Sequence, residues 1–530
     1  MLLCRIKIRL GKFTMPSNNA QTIHFPLKTD ANDTSQFGLR GDPRGVIFRD
    51  GAAWFDGRGA HIEVPGHEAL RFADKSFSIS AHIYTDRVLD SALGDLVCKF
   101  DPAARKGFNF GLLHYSGVTS STPNCRNLFF GIDNGKLEAW QDRGRPGNAV
   151  CIFALCTFED AIYAGTFEAG KEERGHVYRY AGETNWEDCG TPYASNAVTA
   201  LAEFDGKLYA AASHYRSRGS SLAESENETP GGRIFRYDGD KKWTEVGALE
   251  KHEAIHSLIV YRDKLYASSL YAPPGVYRYD GDNKWTFCGH PGTNPGGRIV
   301  PMSVWRGNIW GGSYDGDYNI YRYAGGEQWD DMGKPPEITQ TYSFMPYQGE
   351  LYIGAWPSGA VYRWDGQMGW ENAGRLGEEK EVMGMATYNG KLYGGTLPLA
   401  QVYRYDGDGN WFNTGQLDKT PDVVYRRAWS MAIFRGQLFC GTLPSGHIFS
   451  LDAGKCASVD RSLSPGWHHV AAVKDGGQLN LFVDGQLAGQ SGEFDHAPYD
   501  LTNDKPMTVG FGMHDYFSGA IKDLRIYNTA

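Results

Sequence analysis

The chain has no apolar run approaching the ~18 residues that a membrane-spanning helix needs, and no CxxC pair among its nine cysteines. Neither membrane insertion nor a structural zinc site is expected from such a sequence. The cysteines are scattered, so most read as small buried hydrophobes, with Cys98 and Cys125 the one conceivable bridge. Positive charge is short as well: 53 Lys and Arg stand against 62 Asp and Glu, a net charge of −9. That balance argues against a nucleic-acid-binding surface but leaves room for a local basic pocket. A signal-peptide core is also missing, because Arg5, Lys7 and Arg9 interrupt the apolar residues of the first ten positions. The chain is therefore expected to be cytoplasmic, or secreted with its signal already removed.

What is present in quantity is glycine, 67 residues, and aromatic side chains, 13%, distributed through short alternating segments. This composition predicts an all-β protein of short strands and tight turns. One string dominates the middle: Val276-Tyr277-Arg278-Tyr279-Asp280-Gly281, followed by Trp285 and Gly289. Related copies place Arg179, Arg236, Arg278, Arg322, Arg363 and Arg404 at intervals of 57, 42, 44, 41 and 41 residues. A period near 40 with several short strands predicts propeller blades. Second strands are expected to begin at Ala161, Lys207, Lys264, Asn308, Glu350, Lys391 and Gln437, which makes seven units. The units resemble Kelch-type propellers in period and turn chemistry, without the Kelch double glycine. The seventh lacks the Trp-Gly ending, so its closing strand is expected from just before Cys151 or just after Asp452.

Either side of the repeats, the pattern changes. Ala53–Pro65, Ser76–Ile83, Gly94–Phe100 and Gly107–Leu112 alternate as strands, and so do Gly466–Val473, Leu481–Leu487 and Phe517–Tyr527. Together these segments resemble a laminin-G or concanavalin-A-like jelly roll. The expected architecture is an N-terminal tail at 1–20, a first sandwich part at 21–145, a seven-bladed propeller at 146–456 and a second sandwich part at 457–530. Laminin-G-like sandwiches often bind calcium, and the resemblance implies Asp56 and Asp523 as oxygen ligands for a structural ion; no other cofactor is required. His468-His469 reads as a strand feature, since neighbours on a strand point to opposite faces.

The residues repeated in every unit solve a problem that every unit shares, and they read as scaffold. Asp-Gly pairs serve as turn residues and the Trp packs between neighbouring blades. Function is to be sought where the units differ. Eight residues before each second strand stand Phe153, Thr199, His256, Val300, Tyr342, Met383 and Trp429. Two residues earlier lie Arg298, Arg427 and Glu381, and the loops after the second strands add Glu168, His214, Tyr215, Arg216, Tyr271, Tyr314, Asp315 and Trp356. All of these are expected around one mouth of the axis. A polar residue there can equally do no more than hydrogen-bond a water-filled channel.

Such a mixture suits an acidic polysaccharide or oligosaccharide. Arginine pairs bidentately with a carboxylate, aromatic faces stack on sugar rings, and His or Tyr can move a proton. The leading expectation is a polysaccharide lyase that cleaves a uronic-acid-containing glycan by β-elimination, with His256 and Tyr342 as base and acid. Arg298 and Arg427 would clamp the carboxylate, with His214, Tyr215, Tyr314, Trp356, Glu381 and Trp429 completing the site. Seven-bladed polysaccharide lyases are similar in using His, Tyr and Arg in the mouth. A non-catalytic glycan-binding or protein-interaction module is one alternative. A glycoside hydrolase is another, with its carboxylate pair drawn from Glu168, Glu253, Asp315 and Glu381.

Overall fold

The computed structural model describes residues 22–530, apart from 91–92, 117–119, 137–138, 293–297, 315 and 368; for 114–116, 120–125, 299–300 and 314 it describes the backbone alone. The protein is all-β: the described helical elements are two 3-10 turns, Glu68–Leu70 and Ser217–Ser220.

Strands from both ends of the chain share two sheets. In one, Phe77–Thr85 lies between Gly466–Asp475 and Ser518–Tyr527, with Ala52–Asp56 beyond the latter. In the other, Asp95–Asp101 pairs with Met507–Val509 on one side and Lys106–Ser116 on the other, and Ser120–Asn134 follows. The inward alternate residues meet in one core, where Phe72 stacks on Phe77 at 4.3 Å and Phe77 packs against Phe108 at 5.5 Å. This is the period-2 burial that the alternating text predicts. The seven described cysteines are all buried thiols; the Cys98 Sγ hydrogen-bonds Asn109 Oδ1 at 3.2 Å, and the Cys125 side chain, its conceivable bridge partner, lies outside the described residues.

The repeats form a propeller-like arrangement of antiparallel meanders, although hydrogen bonding does not divide them into seven separate sheets. Five sheets are built on repeat strands. The first two repeats merge through a single Phe167–Ala197 pairing. The third is continuous with the sandwich, because Leu258 and Ile259 pair in parallel with Ser120 and Ser121. Asp365-Gly366 lies in the loop between its strands, as expected, but the other Asp-Gly turns are displaced. Gly239, Gly281 and Gly407 end their strands at φ 87°, 92° and 95°, and the two-residue hairpin loop follows them. Asp240-Lys241 and Asp282-Asn283, both residues at positive φ, make turns of the type that matches strand twist.

The repeated tryptophan ties each unit to the one before it. Trp243 Nε1 donates to Cys189 O at 3.0 Å, Trp285 to Val246 O at 2.9 Å, Trp329 to Cys288 O at 2.9 Å and Trp411 to Ala373 O at 2.9 Å. Trp186 donates to Arg143 O at 2.9 Å, and Trp140 to Thr414 Oγ1 at 3.1 Å, so the chain of bonds returns to its start. The closing strand comes from before Cys151: Gln141–Asp142 pairs with Ile448–Leu451. Close approach near the axis requires glycine in the second strands. A Cβ on Gly441 would lie 2.5 Å from the Ile152 Cβ, and one on Gly395 would lie 2.5 Å from Ala428 O.

The sandwich covers one face of the ring. It meets the turns at the far ends of the inner strands: Asp160 N donates to Asp460 O, Arg262 N to Leu89 O, and Asn389 Nδ2 to Ile132 O, each at 2.9 Å. The opposite face, where the inner strands begin, is left for the site.

Candidate functional site

Each inner strand is broken near its beginning by a β-bulge. Register shifts between Ile152 and Ala154, Val198 and Ala200, Ile255 and Ser257, Thr341 and Ser343, and Ala428 and Ser430 leave Phe153, Thr199, His256, Tyr342 and Trp429 as the extra residues. The fourth and sixth inner strands carry wider irregularities, at Ile299–Met302 and Val382–Met385. A bulge withdraws one residue from the ladder and re-aims its side chain. Here the five side chains converge on a cavity of about 720 Å³ at the mouth.

The floor is aromatic. Phe153 packs edge-on against Tyr215 at 4.7 Å and Trp429 at 5.2 Å, and Trp429 lies 6.5 Å from Tyr342. The walls are cationic: Arg216, Arg218, Arg298 and Arg427 line the cavity, with Glu224 the one carboxylate among its described lining residues. Both Glu224 oxygens are engaged, Oε1 by the Ser217 N–H at 2.8 Å and Oε2 by the Arg218 N–H at 3.2 Å. Burial raises this carboxyl's pKa, but the backbone donors outweigh it and hold the group below the usual range.

Arg427 stands out. Its side chain is 6% exposed, and neither Nε nor Nη1 has a hydrogen-bond partner; the Trp429 Nε1 is unpartnered as well. The guanidinium lies 5.6 Å from the Tyr425 ring and 5.8 Å from the Trp429 ring. Arg298 stands at the first position of its inner strand, 5.7 Å from the Tyr271 ring. Leaving charged donors buried and unpaired is costly, of order several kcal/mol. A site that does so is shaped for an anion.

His256 is 3% exposed, with Nδ1 2.9 Å from Ser257 Oγ. Tyr342 is 9% exposed and lies beside the Glu381 carboxyl. Glu381 is wholly buried behind Tyr342 and Arg427. Burial pushes its pKa up to about 7, against the opposing pull of Arg427 and the hydrogen bond from Tyr342.

The cavity thus gathers His256, Tyr342, Arg298, Arg427, Tyr215 and Trp429 from the expected set. Glu381 supports it from behind rather than lining it. His214 is turned away, with Nδ1 3.3 Å from Glu253 Oε2. Trp356 packs on the outer side of the aromatic cluster, its ring 6.4 Å from Tyr425. The Tyr314 side chain and Asp315 fall outside the described residues. Arg216 and Tyr271 line the cavity as expected, and residues that the sequence reading left unassigned come from the same 214–232 loop, which adds Arg218, Ser220 and Glu224 to one wall. Of the carboxylates weighed for hydrolysis, Glu168, Glu253 and Glu381 do not line the cavity. Glu253 is occupied by Arg216 and His214, and Glu168 accepts hydrogen bonds from Thr166 at 3.1 Å and Tyr178 at 3.3 Å.

In the sandwich, Asp56 Oδ1 accepts the backbone N–H groups of Arg58, Gly59 and Ala60 at 2.9–3.0 Å. Asp523 Oδ1 is 2.7 Å from His24 Nε2 and 3.0 Å from Arg525 Nε. Both carboxylates are therefore engaged by protein donors. Among the described residues no group of three or more His, Cys, Asp or Glu side chains is placed to hold a metal ion, and no helix is long and apolar enough to cross a membrane.

No curated protein matches the sequence significantly. Among solved structures, a catalytically inactive virginiamycin B lyase from Staphylococcus aureus with quinupristin is similar at TM-score 0.46 and 10% identity, covering 60% of this chain and 99% of that one. YCF48 bound to D1 peptide gives 0.43 and 12%, covering 59% and 97%. The WD40 propeller domain of Doa1 gives 0.42 and 9%, covering 61% and 97%. Likeness at this level is one of overall shape. A family profile, Laminin_G_3 of the concanavalin A-like lectin/glucanases superfamily, matches residues 411–530. The C-terminal part of this chain is a concanavalin-A-like domain.

Proposed function

We propose that the cavity binds the carboxylate of a uronic-acid residue in a glycan, and that His256 and Tyr342 cleave the chain there by β-elimination. The observation that carries the reading is Arg427, a buried guanidinium with Nε and Nη1 unpaired at the edge of a cavity that three further arginines line. Neutralising a uronate carboxylate acidifies the adjacent C5–H. His256 takes that proton, the C–H electrons form the C4–C5 double bond, and the C4–O bond breaks as Tyr342 protonates the departing oxygen. Glu381, beside Tyr342 and raised in pKa by burial, would return a proton to the phenol. The aromatic floor offers faces for sugar rings.

The same proposal counts the ring as seven blades inserted between the two halves of the sandwich. The Trp140-to-Thr414 bond, which closes the series of tryptophan contacts, supports the count. The shared sheets of early and late strands support the insertion. The concanavalin-A-like domain then caps the ring on the face away from the mouth.

The test is incubation of the protein with a panel of uronate polymers, read by the ultraviolet absorbance of the unsaturated product. Rising absorbance is the expected result. New reducing ends without unsaturation would replace elimination with hydrolysis, and binding with neither would leave a glycan-binding module.

A further inference from the structure

We infer that the loop 214–232 builds a second anion subsite on the cavity wall, so that the ligand is an oligosaccharide with acidic groups on at least two of its sugars. The inference rests on the carboxylate reading of Arg427 given above and adds to it the class of ligand.

The loop is a constructed element. It stands where the next repeat connects its strands through residues 270–275 alone. Tyr215 anchors it, with its N–H donating to Asn196 Oδ1 at 2.7 Å and its hydroxyl bonded to Ser220 Oγ. Asn227 fastens the far side through Nδ2 to Glu173 O at 2.7 Å and Ala194 O at 2.9 Å. Arg216 is held in the wall by its ion pair with Glu253 and by the Tyr271 ring, 4.6 Å beneath its guanidinium.

Arg218 has no such employment. It is exposed and lines the cavity, and its guanidinium meets no carboxylate among the described residues. Only its backbone is used, in the bond to Glu224. Glu224 is the counter-charge within the turn, where the Ser217 and Arg218 N–H groups hold its two oxygens, and it makes no ion pair with the Arg218 guanidinium, which is left to face the cavity. Arg427 and Arg298 begin the inner strands of the seventh and fourth repeats, whereas Arg218 rises from the second. One uronate brings one charge, and it cannot neutralise both groups. At about 720 Å³ the cavity is in the range that encloses a drug-sized ligand, which is larger than one sugar ring. Two linked charges gain affinity together, since the second binds intramolecularly once the first is seated.

The experiment is calorimetric titration of the full chain at low salt with galacturonic acid and with its dimer and trimer, for wild type, Arg218→Gln and Arg427→Gln. Wild type should bind the dimer at least ~10-fold tighter than the monomer. Arg218→Gln should remove most of the dimer's advantage, weakening the dimer by ~10-fold and the monomer far less, while Arg427→Gln weakens all three. Equal affinity of wild type for monomer and dimer, or an unchanged dimer affinity in Arg218→Gln, overturns the second subsite and leaves the first intact. If no uronate of any length binds wild type, the carboxylate reading fails and the second subsite with it.

Discussion

The indole N–H of Trp140 donates to Thr414 Oγ1 at 3.1 Å, joining residues 274 positions apart. This bond sits at the seam where the last repeat meets the strand that completes it, and its loss should open the ring there. Trp140→Phe, which removes the donor and keeps most of the packing, should cost about 1 kcal/mol. Trp140→Ala should cost more, about 2–3 kcal/mol, less than the 3–5 of a fully buried ring because Trp140 is only half-buried. Urea midpoints followed by circular dichroism will measure both. An unchanged midpoint in Trp140→Ala would show that the seam is held by other contacts.

His256 and Tyr342 are the two proton-carrying side chains that the bulges aim at the cavity. His256→Ala and Tyr342→Phe should each lower elimination on a uronate polymer by about 100-fold or more, the scale of a lost general acid or base. Melting temperatures close to wild type would show that the loss is chemical. Wild-type rates in both variants would remove these residues from the mechanism.

The buried Glu381 carboxyl gives the protein a pH signature. Its folded-state pKa of about 7 lies above the ordinary 4.5, so between those values the folded chain holds a proton that the unfolded chain has released. Stability from this group is therefore full below the unfolded value and declines as pH rises toward 7, with a slope of up to about 1.4 kcal/mol per pH unit. Glu381→Gln should remove that component and flatten the wild-type profile between pH 5 and 7. Denaturation at several pH values decides it, and parallel profiles would mean that Glu381 is ionised throughout.

Arg427 should trade stability for binding. Arg427→Met replaces a buried, unpaired cation with an apolar side chain of similar length, a change worth about 1–4 kcal/mol in favour of the fold in comparable cases. At pH 5.5, where Glu381 is largely protonated, the variant should melt higher than wild type while uronate affinity is lost. A lower melting temperature would show that the guanidinium is structurally compensated.

The fold was largely readable because its signals are periodic. Alternation marked the sandwich strands, and the Tyr-Arg-Tyr string worked as a ruler that placed Phe153, Thr199, His256, Tyr342 and Trp429 in equivalent positions. Trp140 was overlooked although Trp140 and Gly144 repeat the spacing of Trp285 and Gly289. Its place before the first repeat hid the relation, since a closed ring lets the last unit borrow from the first. Glu381 was assigned to the mouth by counting, but register is local, and the wider irregularity of its strand leaves the carboxyl behind Tyr342. His214 is drawn to Glu253, 3.3 Å from its Nδ1, which no spacing reveals. Arg216 followed from its place just after a second strand, but Arg218, Ser220 and Glu224 depended on how an irregular loop folds back, and polar composition carries no direction.

The bulges have a consequence for how this molecule can change. A side chain that the ladder omits is not needed for the backbone pairing of its neighbours, so Phe153, His256, Tyr342 and Trp429 can be rewritten while the strand ladders stay as they are, whereas Thr199 is bound to the neighbouring strand through Oγ1 and Ile255 O. Chemistry and architecture are held in separate sets of residues here. A library confined to those four positions would sample new ligands on a scaffold that does not need to be redesigned each time.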